Sequence, residues 1–352
     1  MPQARAARPA KAVDRSELED AVAGVDEAAG KLFHADPRVH AVGVGLQQGR
    51  PIYRAVRNTR KIVAQAIALS AKPPKLAFPV MFVEAERDAA PLARVPLGAG
   101  IVAAAAASAI PEQQRQRPLR CGLQIQNFDD DVRQGEITKG FMIVGTIGCF
   151  VRKGTKGPFI LSNNHVVAGE NRGKKGDRIL QQGAAAFSKS VLVGTLGDFV
   201  KIKFSPFGAQ PPDTSVVFNE VDAGLASLAA GTSSSNAYLP VRTGVTAPKS
   251  VSKAKQDDHV QKVGRTTGLT SGKVTSIATI VGPIAYDGKP AWFRNSIEIE
   301  GDNGTKFSDH GDSGSAIVNS AGELVGLLYA GNGSQTYACP IDAVIAALGI
   351  KL

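Results

Sequence analysis

Leu18, Val22, Val25, Ala29 and Leu32 recur at the spacing of a helical face, and Pro37 closes that segment. Ser16, with Glu19 three residues on, reads as a capping box at the start of the helix. Two extended runs follow, VHAVGVGL (39–46) and PIYRAV (51–56), separated by the turn Gln47–Arg50, and they predict a hairpin. A second helix is expected over Arg60–Leu69 and a further strand over FPVMFVEAE (78–86), after the break at Pro73 and Pro74. Residues 14–90 thus read as a small α/β domain of accessory or regulatory character, behind a disordered basic tail over 1–13. An Ala-rich stretch followed by PEQQRQRPLR gives 91–120 the composition of a linker.

From Gly140 the texture changes to short strands and turns. FMIVGTIGCFV (141–151), GPFILSN (157–163), GDRILQQ (176–182), VLVGTLGDFVKIKF (191–204) and VDAGLASL (221–228) supply the strands of a first β-barrel over 121–235. The Gly/Ser-rich GTSSSN (231–236) marks a crossing. HVQKV (259–263), GKVTSIATIV (272–281), AWFRNSIEI (291–299), SAIVN (315–319), ELVGLLYA (323–330) and QTYACPI (335–341) then supply a second barrel over 236–352. The chain closes on a short helix in PIDAVIAALG, with Pro340 suited to its first turn. The fold class read from this pattern is α+β overall: an N-terminal α/β domain, then an all-β double barrel of two six-stranded sets.

Composition bounds the function without choosing it. Apolar content of 43% with 20% charge is that of an ordinary globular protein, neither disordered nor fibrous. The net charge of +10 sits mostly in residues 1–120, which hold 18 Lys/Arg against 11 Asp/Glu. That surplus admits an acidic partner for the N-terminal region, but no basic motif with interleaved aromatics points to nucleic acid. Nothing excludes a homo-oligomer. The longest apolar run, Gly98–Ile110, falls short of the roughly 20 residues that cross a bilayer. No apolar signal core follows the basic start, so a cytoplasmic location is expected, with no membrane partner. Cys121, Cys149 and Cys339 make no disulfide framework. No zinc motif is present, and no metal or other cofactor is expected. Asp129, Asp130 and Asp131 read as a solvated acidic turn, and GRTTG (264–268) as a structural turn that lacks the ending of a phosphate loop.

The sharpest chemistry lies in Gly311-Asp312-Ser313-Gly314-Ser315. Glycines flanking a serine allow a tight turn that projects the hydroxyl and gathers N–H groups where an oxyanion would form. The same pattern serves the nucleophile elbow of α/β-hydrolases, whose order is Ser, then Asp or Glu, then His. The five histidines are His34, His40, His165, His259 and His310, and none follows Ser313. The order must therefore be His, Asp, Ser. His34 and His40 lie in the N-terminal unit, His259 opens a strand in a polar stretch, and His310 is too near Ser313 to be placed separately. His165 ends the apolar strand FILSNNHVV and is the candidate base. Asp222 opens the apolar run AGLASL, where a buried carboxylate needs a partner. Asp177 and Asp198 follow glycines as turn residues, and Asp213 lies in a Pro-rich loop, so Asp222 is the candidate orienter.

TIGCFV and FILSNNHVVA, then VDAGLASL, then GDSGSAIV resemble the chymotrypsin-like (trypsin-like) serine peptidases over 121–352, in details closer to bacterial and plant proteins of the Narrow-leaf type than to animal zymogens. VQKVGRTTGLTSGKVTSI resembles the strand, turn and strand before the nucleophile in bacterial streptogrisin-like enzymes. The resemblance implies a serine endopeptidase acting on polypeptide, with His165 as general base, Asp222 as orienter and Ser313 as nucleophile. It further implies an oxyanion hole from the N–H groups of Gly311 and Ser313, and a pocket wall from Leu328, Tyr329, Ala330 and Gly331. Trypsin-like members carry a carboxylate six residues before the nucleophile; Phe307 stands there, which argues against strict Arg/Lys preference. Asp309 and His310 reach the pocket only under a shifted alignment. No Ile-Val-Gly-Gly activation sequence is present. The alternative reading is a protease-fold binding or scaffold protein with weak or regulated catalysis.

Overall fold

The computed structural model of the chain describes residues 13–60, 74–96, 110–136, 139, 141–181 and 190–352. The tail, most of the helix expected over Arg60–Leu69, and 97–109 of the linker lie outside these.

The N-terminal helix is two helices, Arg15–Ala23 and Val25–Ala35, parted at Gly24. Its cap is Asp14 rather than Ser16: the Asp14 carboxylate accepts from the Ser16 and Glu17 N–H groups. A carboxylate near the orphan donors of a first turn satisfies them and complements the helix dipole. The strands Val39–Gln47 and Arg50–Asn58 form the expected hairpin, and Val80–Ala85 joins it in parallel.

This N-terminal sheet continues into the second half of the chain. Val39–Gln47 pairs antiparallel with Gly268–Tyr286, matching Ala41 to Val281 and Val42 to Ile280. The reason lies in one long hairpin, Gly268–Tyr286 with Lys289–Gly301, whose length leaves an apolar flank to cover. Phe33 packs edge-on against Trp292 at 5.1 Å, and Ala29, Leu32, Val42 and Ile280 fill the same cluster. Arg54 reaches Glu298 at 2.5 Å and also Glu300 on the hairpin, so the junction holds a buried ion pair as well.

Among the described residues the strands collect into one sheet of twelve, one of eight and a two-stranded pair. The sheet of eight holds the first strand set, from Gln124–Asn127 to Gly224–Leu228, around Leu123, Ile125, Ile160 and Val193. The sheet of twelve holds the second set, joined by the N-terminal strands. FMIVGTIGCFV is broken into Phe141–Thr146 and Cys149–Lys153, because the chain turns where Gly148 lies against the Gly314 carbonyl.

Two readings from composition do not survive. The Asp129–Asp131 run is no solvated turn but the first turn of the helix Phe128–Gln134, with Asp130 and Asp131 each 1% exposed. Asp130 pairs with Arg133 and Arg172, and Asp131 accepts from the Ile143 N–H and Gln126. Burial pushes the Asp131 carboxyl up to about 7. Nor do the described parts of 91–120 run free: Glu112 is buried against Arg242, and Ala90–Pro91 and Arg94–Pro96 are strands.

Candidate active site

Lys156–Ser162 ends beneath the cleft between the two sheets and turns at once into the short helix Asn164–Val167, which carries His165. The turn is held from its neighbours: Asn163 Nδ2 donates to the Asp222 carbonyl at 2.6 Å. Asp222 just precedes Gly224–Leu228, the strand paired with Lys156–Ser162, which brings both side chains to one sheet end. His165 Nδ1 lies 2.5 Å from Asp222 Oδ2, and the His165 N–H donates to Oδ1 at 3.2 Å. His165 and Asp222 are buried, and His165 Nε2 has no hydrogen-bond partner among the described residues. With Nδ1 donating to the carboxylate, Nε2 is left as an acceptor.

Two further groups hold Asp222, and sequence reasoning missed both roles. Tyr286, at the far end of the long hairpin strand, donates its hydroxyl to Asp222 Oδ2 at 2.9 Å. Cys339 Sγ accepts the Asp222 N–H at 3.2 Å, so the thiol read as plain packing is also a backbone partner. Burial raises its pKa, as it does those of Cys121 and Cys149, and all three thiols are free. The expected result is that dithiothreitol leaves the native chain unchanged in melting temperature. Iodoacetamide at pH 8 should modify no cysteine until denaturant is added, since thiol and not thiolate is held inside. Rapid native alkylation, read by intact mass, would show the opposite.

Ser313 comes from the second sheet, on the loop before Ala316–Asn319. Gly311 and Gly314 take positive φ, +102° and +90°, which glycine alone adopts without strain. A Cβ at Gly314 would collide with Ser162 Oγ, and one at Gly311 with Arg265 and Thr266. Asp312 ties the loop down. Its carboxylate accepts from the Thr266 and Thr267 N–H groups at 2.8 and 3.2 Å, from the Asp309 N–H at 3.0 Å and from Thr267 Oγ1 at 2.6 Å. Lys262 Nζ lies 3.3 Å away, fully buried, its pKa lowered by burial against the pull of Asp312. The GRTTG turn is thus the cradle of the serine loop, with Thr146 Oγ1 bridging to the Gly311 carbonyl at 2.9 Å.

The residues expected at the pocket divide between two apolar clusters, Phe307 and Leu328 in one and Tyr329 and Ala330 in the other. Leu92, 2% exposed, shares an apolar cluster with Phe307, Leu328, Ile297, Ile299 and Ala338. Ala330 and Gly331 pair with Pro91 and Ala90. Tyr329 offers its carbonyl 3.4 Å from Ser313 Oγ, while its hydroxyl meets Ser296. His310 is half-buried; its carbonyl accepts from Thr266 Oγ1, and burial lowers its imidazole pKa. Asp309 is engaged by Lys306 at 3.0 Å. Residues 91–93 lie between the two candidate groups: Pro91 and Ala93 line a cavity with His165, and the Leu92 N–H lies 3.2 Å from Ser313 Oγ.

A family model described as Trypsin matches residues 154–345. The chain belongs to the trypsin family. The match runs from just before the His165 strand through the Ser313 loop and the pocket-wall strands. Among solved structures, the chain is similar to Thermobifida fusca protease A, at 19% identity over 59% of this chain and 91% of that one, TM-score 0.40. It is similar to the Nocardiopsis protease at 15% identity over 66% and 98%, TM-score 0.44. A glutamic-acid-specific serine protease matches at 19% identity over 66% and 100%, TM-score 0.42. No curated protein matches the chain. Trypsin-family membership carries a polypeptide-hydrolase fold of the serine protease kind. No helix among the described residues is long and apolar enough to cross a membrane.

Proposed function

We propose that this chain is a serine endopeptidase that cuts polypeptide through an acyl-enzyme formed on Ser313. The observation that supports this most is the backbone of Leu92 lying at the serine: the Gly311 N–H donates to the Leu92 carbonyl, and the Leu92 N–H lies 3.2 Å from Ser313 Oγ. In this reading Ser313 is the nucleophile. His165 Nε2 takes the hydroxyl proton, and Asp222 holds the imidazole in that tautomer and stabilises its charged form. The N–H groups of Gly311 and Ser313 receive the oxyanion as the carbonyl carbon becomes tetrahedral. Ala330 and Gly331 align the extended chain on one side of the bond, and the apolar pocket of Phe307 and Leu328 takes the side chain before it.

A biotinylated fluorophosphonate tests the reading. The expected result is one adduct per chain, on the peptide that contains Ser313, and its loss in His165→Ala. Labelling that persists in His165→Ala at the same rate would remove the histidine from the mechanism.

Lys262 belongs to the same account. It stands where a cation is needed to neutralise Asp312, in a chain without the activation sequence that supplies one by cleavage. Removing one partner of a buried pair leaves an uncompensated charge and costs about 3–5 kcal/mol. Lys262→Met is therefore expected to lower the melting temperature by about 4–7 °C and turnover by about 100-fold, through a displaced Gly311 N–H. Thermal denaturation and peptide hydrolysis measure the two effects, and wild-type values in both would refute the role.

A further inference from the structure

The cleft is already occupied by the chain's own residues 90–96. The occupant is extended and paired on both flanks. Ala90 and Pro91 pair antiparallel with Gly331 and Ala330 on one side of Leu92. On the other side the Ala93 carbonyl accepts the Val144 N–H at 2.9 Å, and Arg94, Val95 and Pro96 pair antiparallel with Ile143, Met142 and Phe141. Both flanks of the Leu92–Ala93 bond are thus held by strands, one from each sheet. Leu92 itself fills the apolar pocket: a Cβ at Gly331 would stand 3.2 Å from Leu92 Cδ1. Its carbonyl receives the Gly311 N–H.

The approach to this position is built as well. Val80–Ala85 of the N-terminal sheet leads straight into it, and Arg87 Nε donates to the Asn332 carbonyl at 2.9 Å just before the segment enters the cleft. Ala89, Leu92 and Ala93 are buried at 2–5% exposure, which is the burial of a seated strand rather than of a passing loop.

From this geometry we infer that the Leu92–Ala93 bond is the peptidase's own first substrate, cut within the same chain, and that until then residues 90–96 keep other polypeptides out. The inference rests on the catalytic reading above. Ser313 Oγ attacks the Leu92 carbonyl carbon while His165 Nε2 takes the hydroxyl proton. The C–N bond to Ala93 breaks, and the same proton passes to the leaving Ala93 nitrogen. The remaining Leu92 ester on Ser313 is hydrolysed by water, whose proton goes to His165 and then to the departing Ser313 oxygen. A cavity of about 300 Å³ beside His165, lined by Pro91, Ala93, Arg94, Glu170 and Arg172, gives that water its approach. Residues 1–92 stay attached after the cut, because the pairing of Val39–Gln47 with Gly268–Tyr286 does not involve the broken bond. The same contacts define the substrate class: extended polypeptide with an aliphatic side chain, leucine first, before the cut bond.

The test uses the full chain, purified as wild type, Ser313→Ala, Leu92→Asp and Leu92→Met, followed by intact mass and N-terminal sequencing. The expected result is that wild type and Leu92→Met give a new N-terminus at Ala93, at a rate unchanged by tenfold dilution. Ser313→Ala should stay whole. Leu92→Asp should also stay whole, because a carboxylate does not enter the apolar pocket. Its emptied cleft should take fluorophosphonate on Ser313 at least tenfold faster than Ser313 is labelled in uncut wild type. Wild type that stays whole while Leu92→Asp is labelled would overturn self-cleavage and leave the peptidase reading standing. Failure of labelling in every variant would overturn both. A cut in Ser313→Ala, or a rate that falls with dilution, would assign the cleavage to another molecule and overturn the inference.

Discussion

Replacing Ser313 by alanine is expected to lower turnover of a leucine-containing peptide by about a million-fold, with the melting temperature held within a few degrees. The size follows from the chemistry assigned to one oxygen atom. Without it no acyl-enzyme forms, and the residual rate is what the Gly311 N–H and substrate alignment provide to water. The fold should tolerate the change because the loop does not depend on the hydroxyl. Its conformation is fixed by the positive-φ glycines, the five contacts to Asp312 and the Gly314 N–H donating to the Leu328 carbonyl at 2.8 Å. Among the described residues Ser313 Oγ makes only long bonds, at 3.2 and 3.4 Å. Steady-state hydrolysis and thermal denaturation on the same preparation separate chemistry from folding. Retention of more than a few percent of activity would remove Ser313 from the nucleophile's role.

Asp222→Asn is the second large effect, expected at about 10⁴-fold in turnover. Asp222 Oδ2 accepts two hydrogen bonds, from His165 Nδ1 and from the Tyr286 hydroxyl. An amide NH₂ in that place offers donors where acceptors are needed. The tyrosine hydroxyl can rotate to accept, but the imidazole must move its proton to Nε2, the atom that should receive the proton of Ser313. The base is then occupied before the reaction begins. Asp213, exposed in its loop and bonded to the Ser215 N–H, provides the comparison: Asp213→Asn should stay within about twofold of wild type. A large loss in Asp213→Asn and none in Asp222→Asn would reverse the assignment of the orienter.

The candidate site was more legible than its supports. GDSGS is visible because the turn that exposes a serine demands glycine on each side. His165 and Asp222 are visible because each is a polar group at the edge of an apolar strand. Tyr286 is 64 residues from Asp222 and meets it only through the length of the hairpin, which no local pattern encodes. Lys262 left a signal that could have been read: it stands two residues from the buried Val260, so strand alternation turns a cation inward. The Asp129–Asp131 run misleads because two of its neutralising arginines, Arg172 and Arg178, come from more than 40 residues away. Leu92 was the least visible. Ala, Pro and Arg compose a linker and an extended substrate equally well, and only the pairing with Ala330 and Ile143 on opposite sheets separates the two.

The N-terminal strands show the same limit. Their hairpin was legible from alternation, whereas their joining to Gly268–Tyr286 depends on an apolar flank formed by residues more than 200 positions later.

Pre-steady-state hydrolysis of a leucine p-nitrophenyl ester by the processed chain tests the central claim most directly. The account predicts a burst of nitrophenol equal to the enzyme concentration, with a matching mass increase on the peptide that contains Ser313. Hydrolysis that shows no burst, leaves the mass of that peptide unchanged and proceeds equally in Ser313→Ala would contradict it.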